Sequence, residues 1–497
     1  MAQQLLPVSP AWCVAAAMAG LLATAAAWAA PPAGSAAASD ALPSTVPSPA
    51  SAPAWLRERQ TRPNFRAPAA TTCADAPVLV EVPDPSGQQR PPRRPLGPPH
   101  PVSVFDDARR DAVPAPAPPA PPMPLSPAPR LPGSVGEGGS RHPGERPADV
   151  VTPAAVNAGM VDDNADFSAY QAFLQRHAAS PVPAWPVAGR QRLQVVDAQG
   201  RPVNDAEVTL RAANGARLWA RTDAGGQVWI HPGSFDPDDS PGYQVEVRRD
   251  GQRARGRLLR GQKPVLQLRL PVQPQPARLD LVFLVDATGS MADEIDKLRA
   301  SLQDIVRQID ALPSRPQVCL GLVSYRDRGD EYFIRRWDLS HSVAGFQQVL
   351  DGVQAGGGGD TPEAMNEALH EAVQHLSWRG SGTTRLLISL ADAPPHLDYG
   401  RPWHSDSLRA ALGKGIKVFS VAASGQDSQG ELVQRQLAQH TGGRFIFLTY
   451  QDPANPAAGP GSDTVHEVAN YSVDQLDALV VRLVREELAQ LPAVPAH

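Results

Sequence analysis

Residues 278–491 are predicted to form an α/β domain with a doubly wound, mostly parallel sheet. Two observations lead to this prediction. The segments LDLVFLV, VCLGLVSY, RLLISLA and IKVFSVA are almost entirely apolar, as strands that are buried on both faces of a sheet must be. Amphipathic helical patterns separate these segments, and strands that alternate with helices are typical of a parallel sheet that is covered on both faces.

The elements of this domain follow one another in a clear order. LDLVFLV precedes a helix that ends before Pro313, and VCLGLVSY and YFIRRW follow as strands. Helices are expected near residues 342–354 and from Pro362, after which RLLISLA, IKVFSVA and RFIFLTY alternate with two further helices. The last helix begins at Ser472, with Gln475 as the partner in a capping box.

Residues 189–273 show a different pattern, in which apolar and polar residues alternate as in half-buried strands. Turn signals such as Asn214-Gly215 and Asp250-Gly251 separate the alternating segments. This region is therefore predicted to be a small antiparallel β-sandwich. The alternating apolar residues are Leu193 and Val195, Val208 and Leu210, Val228 and Ile230, Val245 and Val247, and Leu266, Leu268 and Leu270.

Arginines recur at alternate positions near the end of this region, at Arg253, Arg255 and Arg257, and Arg260 follows them. Two interpretations are open, a patch that binds anionic surfaces and the solvent-exposed face of a strand. The spacing favours the strand face, because alternate side chains of a strand point to the same side.

The N-terminal region is predicted to contain no folded domain. Residues 1–29 hold an apolar stretch that ends in Ala27-Trp28-Ala29, which is typical of an export signal cleaved after Ala29. No Lys or Arg precedes the stretch, so an uncleaved membrane anchor is the alternative. Residues 30–155 hold roughly half of the 54 prolines and few apolar runs. Such a composition predicts a disordered Pro/Ala-rich linker.

The three cysteines are predicted to be free thiols. Cys13 leaves with the export signal, Cys73 lies in the Pro-rich tract, and Cys319 lies in the apolar strand VCLGLVSY. A disulfide between the last two would have to join a disordered linker to the interior of a sheet.

Residues 156–188 are expected to be a short helical connector. Phe167, Tyr170, Phe173 and Leu174 have helical spacing. The acidic residues before them, Asp162-Asp163-Asn164, are typical either of a calcium site or of a helix start with Asp163 or Asn164 as the cap. The helix start is favoured, because these side chains satisfy first-turn amides without an ion.

Five oxygen-bearing side chains lie on three loops that follow strands or open a helix. Asp286, Thr288 and Ser290 follow the first strand, Thr361 follows four glycines at a helix start, and Asp392 follows RLLISLA. Ligands of open α/β sheets gather at the carboxyl ends of the strands, and these hard oxygen ligands suit Mg²⁺, Mn²⁺ or Ca²⁺. Each motif alone is also a helix cap or a turn, but together, in this order, they predict one metal site.

These residues resemble the metal-ion-dependent adhesion site of the von Willebrand factor type A family, whose pattern is Asp-x-Ser-x-Ser, then a distant Thr and a distant Asp. Here Thr288 replaces the first Ser and keeps a hydroxyl. The resemblance implies that one coordination position of the ion stays open for an acidic side chain of a protein partner.

The stretches VVDAQGRPVNDAEVTL and RTDAGGQVWI resemble the carboxypeptidase regulatory-like and transthyretin-like β-sandwich family. That resemblance implies a structural or spacer module without catalytic residues.

The sequence favours an exported protein, in the periplasm, at the cell surface or in the medium, that binds a protein partner. The alternatives are a structural envelope or surface-assembly component with a purely structural metal, and a metal-dependent hydrolase. A hydrolase of this kind needs a second carboxylate two residues after Asp286, where Thr288 stands, so we expect no enzyme activity.

Two classes of partner are not favoured. The net charge of −5 comes without blocks of like charge, which argues against nucleic acid, and a membrane is expected only through an uncleaved N-terminal segment. Arg328-Gly329-Asp330 is predicted to be a turn after a strand rather than an integrin ligand.

Overall fold

The computed structural model describes residues 67–87 and 156–492, apart from short gaps at 262–265, 274, 313, 381, 454, 456–457 and 469–470. The predicted export signal and most of the predicted linker lie outside these residues. Within them, no helix is long and apolar enough to span a membrane.

Sixteen strands and seven α-helices make up the described fold. The strands are β1 (Leu79–Val82), β2 (Asn157–Val161), β3 (Gln191–Val196), β4 (Glu207–Ala212), β5 (Arg217–Arg221), β6 (Gln227–Ile230), β7 (Gly242–Arg249), β8 (Gln252–Leu259), β9 (Leu266–Arg269), β10 (Arg278–Asp286), β11 (Gln317–Tyr325), β12 (Ile334–Ser340), β13 (Thr383–Ala391), β14 (Ile416–Ala422), β15 (Phe445–Thr449) and β16 (Val473–Gln475). The helices are α1 (Phe167–Arg176), α2 (Ala292–Asp310), α3 (Val343–Asp351), α4 (Met365–His375), α5 (His404–Lys414), α6 (Ser428–Thr441) and α7 (Leu476–Ala489).

A nine-stranded sheet, in the order β1-β12-β11-β10-β13-β14-β15-β2-β16, forms the centre of the fold. Strands β11, β10, β13, β14 and β15 run parallel to their neighbours, whereas the four outer strands pair antiparallel. Helices pack on both faces of this sheet. The structure is thus an α/β fold, as predicted, but the sheet is mixed rather than mostly parallel, because four of its eight strand pairings are antiparallel.

Strand β10 shows how both faces of the sheet become buried. Phe283 and Val285 point toward a core that also contains residues of α2, α3 and α7. Val282 and Leu284 point to the opposite face, toward α1, α4, α5 and α6. Because both sides of the strand are covered, its sequence is apolar without alternation.

The connector predicted at residues 156–188 is only partly helical, which corrects that prediction. Its first residues form β2, which pairs with β15 and β16 inside the sheet. Helix α1 begins at Phe167, with Asp166 as its cap, rather than after Asp163 or Asn164. The Asp163 carboxylate does not cap because it forms a buried ion pair with Arg435.

The tract predicted to be a disordered linker contains an ordered segment, which corrects a second prediction. Strand β1 pairs antiparallel with β12 at the edge of the sheet. The Ala74 amide donates to the Leu339 carbonyl at 3.0 Å. The strand is short and its residues are mostly exposed, so no buried periodicity marks it in the sequence.

Cys73 and Cys319 form a disulfide in the structure, so the prediction of free thiols was wrong. That prediction assumed that residue 73 was remote from the sheet. Cys73 instead packs against the core at the sheet face where Cys319 is buried, because β1 and the residues before it lie along β12.

Residues 191–269 form two small sheets that share one hydrophobic core. Their strand orders are β6-β3-β9 and β5-β4-β7-β8. Strand β9 pairs parallel to β3, so the pairing is not purely antiparallel as predicted.

Buried ion pairs fasten the small sheets to the α/β domain. The Asp205 carboxylate accepts hydrogen bonds from the Gly382 amide and from Arg385 Nη1, both at 2.8 Å. Burial alone would raise the pKa of Asp205, but the charges of Arg385 and Arg221 lower it below its usual value. Lys417 Nζ adds a second link, 3.0 Å from Asp223 of the small sheets. These contacts make the small sheets a fixed part of the fold.

We expect trypsin to leave the peptide of residues 67–93 attached to the core through Cys73, because the bond to Cys319 holds it after the flanking chain is cut. Mass spectrometry of the denatured digest, before and after reduction, measures this linkage. Cys73→Ser should release the peptide without reductant and lower the free energy of unfolding by about 2–4 kcal/mol. Free thiols at both positions in the unreduced, denatured protein would contradict the pairing.

Candidate metal centre

The loop after β10 carries three of the five predicted ligands. Oδ1 of Asp286 accepts hydrogen bonds from the Thr288 amide at 3.0 Å and from the Thr288 hydroxyl at 2.7 Å. Thr288 Oγ1 in turn lies 3.1 Å from Ser290 Oγ. A short 3₁₀ turn at Gly289–Met291 then leads into α2. The structure therefore gathers Asp286, Thr288 and Ser290 at the carboxyl end of β10.

A run of glycines brings a second loop against the first. The Gly289 amide donates to the Gly357 carbonyl at 3.2 Å. Gly357 and Gly358 have φ angles of 76° and 64°, which favour glycine. A Cβ atom on Gly358 would lie 3.2 Å from Cβ of Thr288. Because glycine has no side chain, the backbone of this loop can pass directly beside Thr288.

Thr361 and Asp392 lie on two loops that Glu363 joins. The Glu363 amide donates to the Pro394 carbonyl at 3.0 Å, and the Glu363 carbonyl accepts from the His396 amide at 3.1 Å. Asp392 is buried after the end of β13, whereas Thr361 is exposed. Among the described residues, no hydrogen bond joins the Thr361 hydroxyl to the other four predicted ligands. Thr361 therefore lies at the rim of the site.

The parallel sheet and its polar edge match one known family. The family model for the von Willebrand factor type A (VWA) domain covers residues 280–453. This part of the chain is a VWA domain. The match begins in β10 and includes all three loops that carry the predicted ligands.

Two curated proteins align with parts of this chain. Alpha-protein kinase vwkA of Dictyostelium discoideum is 29% identical over 143 residues, which make up 28% of this chain and 22% of that protein. An ariadne-like RING finger protein of Acanthamoeba polyphaga mimivirus is 33% identical over 120 residues, 24% of this chain and 11% of that protein. The chain thus spans well under two thirds of either relative.

Three further acids of the VWA domain lie at this edge and were not predicted as site residues. Asp327 and Asp330 follow β11, and Glu363 follows Thr361. Their charges act on one another and on Asp286. The position of RDRGD directly after the second apolar strand was the available signal, because parallel strands end at the same edge.

Crowding of these acids changes their protonation. Burial, and next the charges of Asp286, Asp327, Asp330 and Asp392, raise the pKa of Glu363 to about 10. Burial also raises the pKa of Asp286 to about 6, although the Thr288 hydrogen bonds oppose this shift. The edge therefore holds more acidic groups than it can easily ionise together.

Arg328-Gly329-Asp330 forms a turn in the structure. The Asp330 amide donates to the Asp327 carbonyl at 3.3 Å, and Gly329 has a φ of 81°. Oδ2 of Asp330 accepts from the Gly358 amide at 2.7 Å, so this side chain positions the glycine loop. The Arg328 guanidinium lies 3.6 Å from the Tyr399 ring centroid.

The donor set at this edge fits a hard divalent cation. Oδ2 of Asp286 is buried and has no hydrogen-bond partner. The Tyr325 hydroxyl lies close enough to affect the pKa of Asp286, but outside hydrogen-bonding geometry. Within the described residues, no group of three or more His, Cys, Asp or Glu side chains is arranged to hold a metal. A cation here would accordingly rely on hydroxyl oxygens beside carboxylates, a combination that suits Mg²⁺ or Mn²⁺.

We expect the metal-free protein to lose stability as the pH rises. Folded Glu363 keeps its proton up to about pH 10, whereas the unfolded chain releases it near its ordinary pKa of 4.5. The folded state thus binds more protons between these values, and its stability falls through this window. Glu363→Gln should reduce the loss between about pH 5 and about pH 8 by roughly 1–3 kcal/mol.

Thermal and urea unfolding in EDTA at both pH values measure this change. Glu331→Gln is the control, because Glu331 is an exposed glutamate on the loop between β11 and β12, at the same edge of the sheet. An unchanged pH dependence in Glu363→Gln would show that Glu363 is ionised in the folded protein.

Proposed function

We propose that this chain is an exported protein whose VWA domain binds a protein partner through a divalent cation. The ligands are Asp286, Thr288, Ser290, Thr361 and Asp392, and the ion is Mg²⁺ or Mn²⁺, with Ca²⁺ as the third choice. The observation that carries the proposal is the buried, unbonded Oδ2 of Asp286 in a cluster of acids. A cation bound there would offset the electrostatic repulsion between these carboxylates.

The rim position of Thr361 supports a role in binding a partner. Thr361 and Ser290 are exposed, whereas Asp286, Thr288 and Asp392 are buried. An ion bound by the buried ligands would be open to solvent on the side where Thr361 lies. An acidic side chain of a partner can complete the coordination shell from that side, which gives the contact both strength and direction.

The disulfide supports export. Disulfides persist in oxidising compartments and are rare in the cytosol, and the Cys73–Cys319 bond joins segments far apart in the chain. The predicted signal at residues 1–29 agrees with this location. We propose the periplasm, the cell surface or the medium as the site of action.

The small sheets are proposed to be a carboxypeptidase regulatory-like module. Their quoted motifs fall at turns: the Asp197 carboxylate accepts from the Gln199 and Arg201 amides, and the Asp223 carboxylate accepts from the Gln227 amide. These aspartates serve as turn-forming residues, which fits a structural module without catalysis.

A structural metal in an envelope component is the alternative to partner binding, and the exposed rim favours partner binding. A hydrolase is disfavoured because a hydroxyl, Thr288, occupies the position of the second carboxylate. The kinase and RING finger names describe relatives that align over only 22% and 11% of their lengths. Neither name therefore assigns an activity to this chain.

We expect the purified protein to bind one equivalent of Mg²⁺ or Mn²⁺, and Asp286→Ala to weaken this binding at least about 100-fold. Asp286 supplies the buried oxygen that lacks a partner, so its loss removes the centre of the site. Isothermal calorimetry measures the binding. Asp296→Ala is the control, because Asp296 is an exposed acid on the next helix. Equal affinity in Asp286→Ala and wild type would contradict the assignment.

We expect EDTA to release a protein partner captured from an envelope extract of the source organism, and Mg²⁺ or Mn²⁺ to restore capture. Thr361→Ala should weaken capture, because Thr361 is an exposed ligand on the side that a partner would meet. Ser314→Ala, an exposed hydroxyl before β11 at the opposite edge of the sheet, should not. Quantitative pull-downs measure these effects. Equal capture with EDTA and with Thr361→Ala would make the ion structural.

A further inference from the structure

The outer face of the four-stranded sheet β5-β4-β7-β8 carries an unusual concentration of arginine. Inward residues such as Val208 and Val245 fill the core, so the alternate residues point outward. Four strands with three outward positions each form a grid, which we call the arginine face. Its residues are Arg217, Trp219 and Arg221 on β5, Glu207, Thr209 and Arg211 on β4, Gln244, Glu246 and Arg248 on β7, and Arg253, Arg255 and Arg257 on β8.

The charge of this face opposes that of the whole protein. Seven of its residues are arginine and two are glutamate, whereas the chain has a net charge of −5. Six of the seven arginines are exposed, and the seventh, Arg221, is half-buried. A surface that serves only solubility mixes both signs of charge evenly, whereas arginines outnumber glutamates by seven to two on this face.

The register places like charges opposite each other. Arg217 pairs with Arg211 across β5 and β4, and Arg248 pairs with Arg253 across β7 and β8. Like charges directly opposite in a sheet are destabilising. The Glu246 carboxylate pairs with Arg255 at 2.7 Å and also with Arg248. Arg221 pairs with Asp205 at 3.1 Å, whereas Arg211, Arg217, Arg253 and Arg257 form no side-chain ion pair with any residue that the structure describes. Folding alone does not explain the presence of these four arginines.

One row of the grid contains no carboxylate. It runs across all four strands through Arg217, Arg211, Gln244 and Arg257. Within the part of the chain that the structure describes, none of these three arginines forms a side-chain ion pair. Guanidinium groups bind carboxylate and sulfate through paired hydrogen bonds, so this row presents three anion-binding groups to solvent.

The face has the shape of an extended track. Arg253, Arg255 and Arg257 form a column along the edge strand β8, with roughly 6.8 Å between successive side chains. At one end, a cavity of about 670 Å³ is lined by both signs of charge, namely by Arg221, Arg248, Arg249 and Arg253 and by Asp205, Glu207 and Asp250. A linear polymer with a charged group on each repeat can follow such a track, whereas a single small anion would meet only part of it.

We propose that the arginine face binds a linear acidic polysaccharide, one whose sugars carry carboxylate or sulfate groups. The neutral residues support a sugar polymer: Gln244 and Thr209 can bond hydroxyl groups, and Trp219 offers a partly exposed ring. The exposed large apolar residues among the described ones, Val78, Leu79, Val80, Trp403 and Val465, all lie elsewhere. Trp219 is therefore the one large apolar side chain of the face, and it is only partly exposed, which leaves little apolar surface for insertion into a lipid bilayer.

Binding assays with the purified chain test this proposal, with alginate and dextran sulfate as the probes and neutral dextran as the uncharged control. The triple variant Arg211→Gln, Arg217→Gln, Arg257→Gln should weaken binding of a charged probe by about tenfold or more. Its melting temperature should not fall, because it removes a like-charge pair. Arg307→Gln, Arg315→Gln, Arg485→Gln is the matched control, since these exposed arginines lie off the face and their loss changes the net charge equally.

The expected result is binding of at least one acidic polysaccharide that salt weakens, that the control variant keeps and that EDTA does not change. Persistence in EDTA separates this face from the metal centre, so either proposal can fail alone. Failure of both polysaccharides to bind, or equal loss in the control variant, would overturn the proposal. Tighter binding to phosphatidylglycerol vesicles or to duplex DNA would overturn it as well, by assigning the face to a membrane or to nucleic acid.

Discussion

The parallel pairing of β10 with β11 and β13 is the constraint on which the polar edge of the VWA domain depends. Asp286 is level with Tyr325 of β11, and Val285 is level with Leu390 of β13. The loops that follow these strands therefore start side by side, although about 100 residues of chain separate Asp286 from Asp392. Close packing on both faces fixes this register, because a slip by one residue would move every side chain to the opposite face, where its shape does not fit.

Hydrogen bonds partly stabilise the carboxylates that this strand register brings together. Backbone amides of Thr288 and Gly358 donate to Asp286 and Asp330. The Arg326 guanidinium donates to the carbonyls of Ala287 and Gln354 and to the Glu331 carboxylate. His396 pairs with Asp327 and lowers its pKa although burial opposes this, whereas burial raises the pKa of Asp286 and Glu363. The acids at this edge are therefore compensated unevenly, and a cluster of carboxylates with perturbed pKa values is typical of a binding site.

The sequence predicted those parts of the fold that rest on local patterns. Apolar runs located the central strands, and helical spacing located the helices between them, because burial on a sheet imposes these periods. Strand β1 was missed because its residues are mostly exposed and because it pairs with a strand more than about 250 residues away, with Leu79 opposite Trp337 and Val82 opposite Ile334. The disulfide was missed for the same reason, since only that long-range pairing brings Cys73 to Cys319. At the site, Asp327 and Glu363 were missed because no short motif marks them, and only the topology places them beside Asp286.

The attachment of the small sheets determines the distance between the two proposed binding sites, the metal edge and the arginine face. Asp205 contacts Gly382 and Arg385 at the amino end of β13, whereas Asp392 follows its carboxyl end. The nine residues of β13 span about 30 Å, so the small sheets leave the polar edge uncovered. Because the link consists of buried ion pairs rather than a flexible tether, the arginine face and the metal edge keep a fixed separation. A protein bound at the edge and a polymer bound on the face would then occupy the same molecule without competition, each held at a defined place.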